Sequence, residues 1–289
     1  MQGRSVARGW QDMTAEHWFL LPVGSGIAIL AMSSGISAGN LWVPVYLLWT
    51  RFEAPLAFWM TLVTMLFGYG SGVARNLQQG TINRGFLAQY LPFTVPAAML
   101  GGLLSPSVDV SWLILLFGAF VLGYGVWMLV PAIRSARHVS PLTPTATDGS
   151  GGQAGRGAPW GIAILGGAFL GLIAVGLGEI MLPRMLNDRK LSHPAEAVGS
   201  AVLIIFVTSV AAAMVRLNTQ FVTALVEQRT VLLNAMLFAA PGVVLGGQLG
   251  PRIAQRLNAR TLRLYVASLL LVVGILMLVR FCVMVGFIR

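Results

Sequence analysis

The sequence predicts an all-α, polytopic integral membrane protein built from two homologous halves. Of its 289 residues, 56% are apolar and only 10% are charged, whereas a soluble domain carries about 25% charged residues. Several uncharged runs exceed the roughly 18–20 residues that cross a hydrocarbon core about 30 Å thick. A glycine-rich stretch that ends in proline occurs once in each half, which indicates an internal repeat.

The net charge of +10 comes from 18 arginines and one lysine against nine acidic residues. The basic residues lie between the apolar runs, where they set topology next to anionic lipid. No basic patch alternates with aromatic residues, so nucleic acid is not an expected partner. We expect membrane lipid and a small anionic substrate as partners, with a homodimer among the oligomeric states that the sequence allows.

Metal and disulfide chemistry are not expected, and neither is a cofactor. Cys282 is the only cysteine, which excludes an intrachain disulfide and a multi-cysteine metal site. The three histidines, His17, His138 and His193, lie in separate predicted loops.

The first half occupies residues 18–133, after a polar N-terminal lead at residues 1–17. Residues 18–50 carry no charge, but a single helix of that length would measure about 50 Å. Glycine and proline interrupt this run, so we expect two shorter helices broken near residues 33–40. Such a break is tolerated at membrane depth only where it is buried in protein or lines a cavity. Further spans are predicted at residues 54–74, 85–108 and 110–133, with a polar loop at 75–84 and a short turn at Asp109.

A linker rich in proline, serine and glycine follows at residues 134–158, and its composition predicts flexibility. The second half, residues 159–289, begins with a glycine-rich apolar segment at residues 161–186. Spans are predicted at residues 197–215, 230–251 and 264–288. They are joined by a connection at residues 216–229 and by a basic loop at residues 252–263.

The two halves match in order. The repeated motif reads SAGNLWVP at residues 37–44 and GLGEIMLP at residues 176–183, and a second proline follows eleven residues after each motif. Later, Pro96 and Pro241 each precede a pair of glycines by five residues. Gly125 followed by Leu129 and Val130 also matches Gly274 followed by Leu278 and Val279. Four ordered features of this kind predict a two-fold repeat.

Loop charge bears on whether the repeats are inverted or parallel. Four crossings per half would make the halves parallel, whereas a re-entrant pair followed by three crossings would make them inverted. The turn at Asp109 has no basic residue nearby, and the matching connection holds four arginines, Arg252, Arg256, Arg260 and Arg263. Opposite charge at equivalent loops favours opposite sides of the membrane, and hence inversion.

The two motifs are the candidate substrate-binding site. A broken helix exposes backbone N–H groups at the start of its second piece, and such groups bind anions. Two facing ends would form a compact polar site near the midplane. The alternative is that the glycines only let helices pack closely. The candidate residues of the motifs are Ser37, Gly39, Asn40, Gly176, Gly178 and Glu179.

Thr64 and Ser200, in the spans that follow the motifs, are weaker substrate-binding candidates. Serine and threonine in membrane helices usually bond to their own helix or to a neighbour. Arg75 and Arg216 fall at the ends of predicted spans and are interpreted as marking the interface.

Glu179 is the only acidic residue deep within an apolar block. A carboxylate inside a membrane is costly and is by default a functional hypothesis. Proton uptake would remove its charge, so Glu179 is the candidate for proton coupling. Two structural roles stay open, an ion pair with Arg184 and a cap on a helix N-terminus.

These residues resemble the sulfite exporter TauE/SafE family of bacterial membrane proteins. The resemblance rests on the motifs at residues 35–44 and 176–183, on EAVGS at residues 196–200, and on residues 241–247, and it covers nearly the whole chain. It implies export of sulfite or an organosulfonate from a multi-pass position in the bacterial inner membrane. The family usually has three consecutive glycines in each motif, whereas Ser37, Ala38 and Leu177 stand in those stretches here.

Asn40 and Glu179 also depart from the family pattern. A carboxylate beside an anion is repulsive unless it is protonated, so either Glu179 couples protons or the substrate differs.

The sequence therefore predicts a secondary transporter, an exporter of a small anion, and no enzyme. No phosphate-binding loop motif is present, which argues against ATP-driven pumping by this chain. One alternative is an anion channel or a membrane scaffold that transports nothing. A less favoured one is an intramembrane transferase, which would need clustered acids, histidines or arginines.

Overall fold

The computed structural model of the chain describes residues 17–34, 36–134, 159–186, 188, 194–217, 219–254 and 259–286. These residues form helices and short connections without any strand, as the sequence predicts. The N-terminal lead up to residue 16, the linker at residues 135–158, and Arg189, Lys190 and Arg256 lie outside the described residues.

The first half contributes five helices. Their bounds are Leu20–Ser34 (α1), Gly39–Pro44 (α2), Ala54–Gln78 (α3), Arg84–Leu104 (α4) and Val110–Arg134 (α5). Pro44 lacks the N–H group that continues an α-helix, and α2 runs on into a π-helical turn at Val45–Trp49. Helix α4 likewise ends in a 3₁₀ turn at Ser105–Ser107.

The second half repeats this order with one additional short helix. Its bounds are Pro159–Ile173 (α6), Leu177–Leu186 (α7), Pro194–Val215 (α8), Thr219–Glu227 (α9), Arg229–Ala254 (α10) and Ala259–Val285 (α11). Prolines in the first turn of α3 and α8 lie where no N–H partner is needed.

Six of these helices, α3, α4, α5, α8, α10 and α11, are long and apolar enough to cross a membrane. Helices α1 and α6 have 15 residues each, or about 22 Å of length, which is less than a hydrocarbon core about 30 Å thick. Large apolar side chains such as Leu100, Met214 and Leu233 are more than half exposed, as is typical of a surface that faces lipid. The chain is a polytopic membrane protein.

The core of the protein lies between its two halves. Helix α1 packs along α10, α4 along α6, and α5 along α11. Helix α3 contacts both α8 and α10, while α4 also contacts α8. Each of these pairs joins one half to the other, so neither half forms a separate domain.

Several helices extend past the charged residues that were expected to end them. Arg75 lies within α3 rather than in a loop, and its guanidinium donates to the Gln248 carbonyl at 2.9 Å. The expected connection at residues 216–229 contains α9, and the basic loop at 252–263 is helical except at residues 255–258, which lie outside the described part. Arginine is a good helix former with a long side chain that reaches polar surroundings, so a charge ends an apolar run without ending the helix.

Candidate functional site

The first helix break separates α1 from α2. Its residues Ile36, Ser37 and Ala38 are almost fully buried. The Ala38 N–H donates to the Tyr69 hydroxyl of α3 at 3.3 Å. At Gly39 a β-carbon would collide with the Ala174 carbonyl oxygen in the other half. The first break therefore lies directly against the second, and Gly39 permits that approach.

The second helix break separates α6 from α7. Ala174 has a φ of 60° and Gly176 a φ of 100°, both in the left-handed region where residues other than glycine are uncommon. The Ala174 N–H donates to the Leu170 carbonyl at 2.9 Å, which closes α6 with a left-handed residue. These two residues turn the chain sharply, and α7 begins at Leu177.

The carboxyl group of Glu179 joins the two breaks. One oxygen, Oε1, accepts hydrogen bonds from the Ser37 N–H at 2.5 Å and from the Asn40 side-chain amide at 2.6 Å. The other, Oε2, accepts from the Gly176 N–H at 3.1 Å. Glu179 is only 3% exposed, so a buried acidic group is held by three N–H donors drawn from both halves.

The repeat gives this arrangement a simple description. Ser37 aligns with Gly176 in the two motifs, and Asn40 aligns with Glu179. The carboxyl group thus binds the equivalent backbone N–H group of both breaks, together with the side chain at its own repeat position. The bond to Gly176 caps the start of α7, a position at which negative charge is favourable.

Arg184 does not carry the role of ion-pair partner that the sequence left open. Its side chain lies near the Tyr90 hydroxyl of α4, while the Glu179 carboxyl oxygens are bound by N–H groups. Of the two structural alternatives, the described contacts favour the helix cap.

A small cavity borders the first break. It is lined by Ala38, Trp42, Thr64, Tyr69 and apolar residues of α1, α3 and α10, and it leaves room for about one water molecule. The indole Nε1 of Trp42 and the Oδ1 of Asn40 are buried without a hydrogen-bond partner among the described residues. Buried polar atoms without partners are uncommon in folded proteins.

The structure brings most of the candidate residues together. Ser37, Gly39 and Asn40 lie against Gly176 and Glu179. Gly178 is buried in the first turn of α7.

The two weaker candidates differ in position. Thr64 borders the cavity and donates to the Met60 carbonyl of its own helix at 2.7 Å, as membrane threonines commonly do. Ser200 lies elsewhere, because its hydroxyl accepts from the Asn83 N–H at the start of α4 at 2.8 Å.

Arg216 directly follows α8, at the end of a candidate membrane span as the sequence predicts, but its side chain is buried and only 5% exposed. The guanidinium donates to the carbonyls of Gly171 and Leu172, the latter at 2.8 Å, and lies 6.0 Å from the Phe58 ring centroid. An arginine after an apolar run looks the same in sequence whether it faces water or a neighbouring helix end.

Comparison with known proteins places the chain in a family. The family model of the sulfite exporter TauE/SafE matches residues 20–277. The chain belongs to the TauE/SafE sulfite exporter family. Members of this family are membrane transporters rather than enzymes, so the resemblance and the non-enzyme prediction are confirmed. No curated protein and no solved structure matches the chain.

The TauE/SafE match includes both helix breaks, the first five long apolar helices and most of the sixth, α11, which continues to Val285. Within the described residues, no group of three or more histidine, cysteine or acidic side chains is placed to hold a metal. The breaks offer hydrogen bonding from N–H groups.

Proposed function

We propose that this TauE/SafE protein is a secondary transporter that exports a small oxyanion, such as sulfite or an organosulfonate, across the bacterial inner membrane. One observation carries the proposal: three N–H donors from both helix breaks already hold a carboxyl group in a buried position. A place built to stabilise one oxyanion has the donors that a substrate oxyanion requires.

The donors suit sulfite and sulfonate groups for geometric reasons. Backbone N–H groups at helix starts are fixed donors that favour negative charge. Hydrogen bonds to an ionised acceptor are shorter and stronger than neutral ones, and the two bonds to Oε1 measure 2.5 and 2.6 Å.

The packing of the helices supports a two-fold arrangement around this site. Exchanging the halves turns the pair α1–α10 into α6–α4, and the pair α3–α10 into α8–α4, while α3–α8 and α5–α11 map onto themselves. Three long helices in each half, after a broken pair too short to cross, fit an inverted repeat. We infer that the broken pairs are re-entrant and that the site lies near the midplane.

Glu179 is the group that would couple transport to protons. It lies at the contact between the two halves, and proton uptake would remove the negative charge that competes with an anionic substrate. Rocking of one half against the other around this point would then give alternating access.

Flux into proteoliposomes tests the transporter. We expect saturable, gradient-driven movement of sulfite or methanesulfonate with the wild-type chain and none in empty vesicles. Asn40→Ala removes a side-chain donor and should lower the flux about tenfold, the effect of losing roughly 1.4 kcal/mol of binding. Ser200→Ala is the matched control and should transport like the wild type, because Ser200 lies outside the cluster.

Two results would contradict the proposal. The absence of saturable flux for both anions would exclude transport of these substrates. Flux that rises without saturation and follows the membrane potential alone would indicate a channel instead.

A further inference from the structure

We propose that the Glu179 carboxylate is a tethered anion that occupies the anion site, so that a substrate oxyanion takes the same N–H donors only after Glu179 releases them. The inference rests on the proposed anion transport and adds how access to the site is regulated. Substrate and side chain are competitors for one set of donors.

The hydrogen bonds support competition because all three donors of the cluster are already in use. Ser37 and Gly176 donate from the backbone, and Asn40 donates from its side chain. Backbone N–H groups do not titrate and cannot be withdrawn. Another anion can therefore bind only if the Glu179 carboxyl group leaves, and it can leave by rotation of its side chain.

A second observation shows that the carboxylate leaves part of the site unsatisfied. The Oδ1 atom of Asn40 has no hydrogen-bond partner in the described part of the chain, and the residue is only 1% exposed. This atom is an acceptor, and an ionised carboxylate has no proton to donate to it. A protonated Glu179, or a ligand that carries a hydroxyl group, supplies the missing donor.

The cavity next to the first break adds a further unused donor. Trp42 is fully buried and lines that cavity, and its Nε1 has no partner among the described residues. A buried N–H group without an acceptor is costly.

Glu179 is the only acidic group that faces the cluster from the described parts of the helices packed against α7. Helix α6 contains no titratable residue, and the single acid of α8, Glu196, binds the Asn83 side chain at 3.1 Å. Arg184 of α7 lies near the Tyr90 hydroxyl of α4. The Tyr69 hydroxyl, from α3, accepts from Ala38.

Proton uptake at Glu179 therefore changes the charge of the site without changing its donors. The protonated carboxyl is a weaker acceptor and no longer repels an incoming anion. The three N–H groups then pass to the substrate. Loss of the proton returns the carboxylate to the donors and displaces the substrate.

Methanesulfonate binding to the purified full-length chain tests this competition. The probe keeps one negative charge in both mildly acidic and mildly alkaline buffer, so any pH dependence belongs to the protein. For the wild type we expect binding about tenfold tighter in the acidic buffer, where more of the protein is free to accept the anion. Glu179→Gln and Glu179→Ala should bind about as tightly in both buffers as the wild type does in acid.

Glu196→Gln is the matched control, because Glu196 also accepts from an asparagine side chain but lies outside the cluster. It should keep the wild-type pH dependence. If Glu179→Ala does not fold, Glu179→Gln and the wild type decide between the outcomes.

Wild-type binding that is equal in both buffers would overturn the proposal, and so would Glu179→Gln binding that remains pH-dependent. Failure of the transport proposal gives a different result. Wild-type vesicles without flux, together with pH-independent binding by Glu179→Gln, would support the tethered anion and remove the transporter. Flux in wild-type vesicles with no gain in binding by either variant would remove the tethered anion alone.

Discussion

Arg216 is a buried charge that connects the end of α8 to the end of α6. The last carbonyls of a helix have no partner within that helix and carry partial negative charge. The Arg216 guanidinium reaches from the end of α8 to the carbonyls of Gly171 and Leu172, just before α6 ends at Ile173. Burying a guanidinium is costly, and the contact with the helix end and the Phe58 ring offsets that cost.

Replacing Arg216 should therefore lower stability. Arg216→Met keeps much of the apolar stem but removes the guanidinium donor from the Gly171 carbonyl and leaves the Leu172 carbonyl with the Ser105 hydroxyl at 3.2 Å, so we expect a loss of about 2 kcal/mol. Thermal unfolding of the purified protein in detergent measures this as a lower midpoint. Arg75→Met is the matched control, since Arg75 also donates to a carbonyl but in an exposed bond, and it should change stability by less than about 0.5 kcal/mol. Equal losses in both variants would contradict a special role for Arg216.

Some residues of the site could be recognised in the sequence and others could not. Glu179 was identified because an acid within an apolar run needs an explanation, and its partners Ser37 and Asn40 because their motif recurs. Tyr69 gave no such signal, since aromatic residues are common in apolar helices, and its place beside the cluster follows only from the packing of α2 on α3. Trp42 lies within the first motif, but nothing in the motif distinguished it from a residue that only packs.

The long contacts between helices of opposite halves depend on glycine. At Gly246 of α10 a β-carbon would collide with the Ser25 carbonyl of α1, and at Gly171 of α6 one would collide with the Ala98 carbonyl of α4. Small residues let two backbones approach closely, which drives helix association in membranes. The same device therefore occurs in both reciprocal pairs, α1–α10 and α4–α6.

This close packing predicts that alanine substitutions at two glycines of the α1–α10 pair have different effects on stability. Gly246→Ala should destabilise the protein by about 2 kcal/mol, because the crossing must open to admit a methyl group. Gly26→Ala, in α1, places its methyl in open space and should be neutral or stabilising by up to about 1 kcal/mol, because alanine is the better helix former. Thermal unfolding of the two variants checks the difference, and a similar midpoint for both would show that the crossing is not tightly packed.

The helix breaks could be predicted from the sequence, and several helix ends could not. A run of 33 uncharged residues is too long for one crossing, and Gly35, Gly39 and Pro44 marked where it breaks. The structure accordingly ends α1 at Ser34 and begins α2 at Gly39. Charged residues marked the ends of apolar runs, but α3 and α10 continue past Arg75 and Arg252, because helical hydrogen bonding does not require an apolar side chain.

In the whole molecule, helix packing joins one half to the other more than it joins the helices within a half. The pairs α1–α10, α4–α6, α5–α11 and α3–α8 all cross between halves, and Glu179 adds hydrogen bonds between the breaks. Repeats in the sequence predict that equivalent helices exist. They do not determine which helix of one half contacts which helix of the other, because those contacts join residues more than a hundred positions apart, such as Ser37 and Glu179.

The proposed inversion makes a prediction about sidedness that a parallel repeat does not share. Asp109 and Arg256 lie in equivalent connections of the two halves. Opposite orientation of the repeats places them on opposite membrane faces, which agrees with the absence of basic residues at the first and their abundance at the second.

Single cysteines at Asp109→Cys and Arg256→Cys should therefore react with a membrane-impermeant thiol reagent from opposite sides. The background chain carries Cys282→Ala, which removes the only native cysteine, and Cys282→Ala alone is the control for unspecific labelling. Intact cells should label one position, and inverted membrane vesicles the other. Labelling of both positions from the same side would mean that the halves run parallel, and the two breaks would then not be related by an axis in the membrane plane.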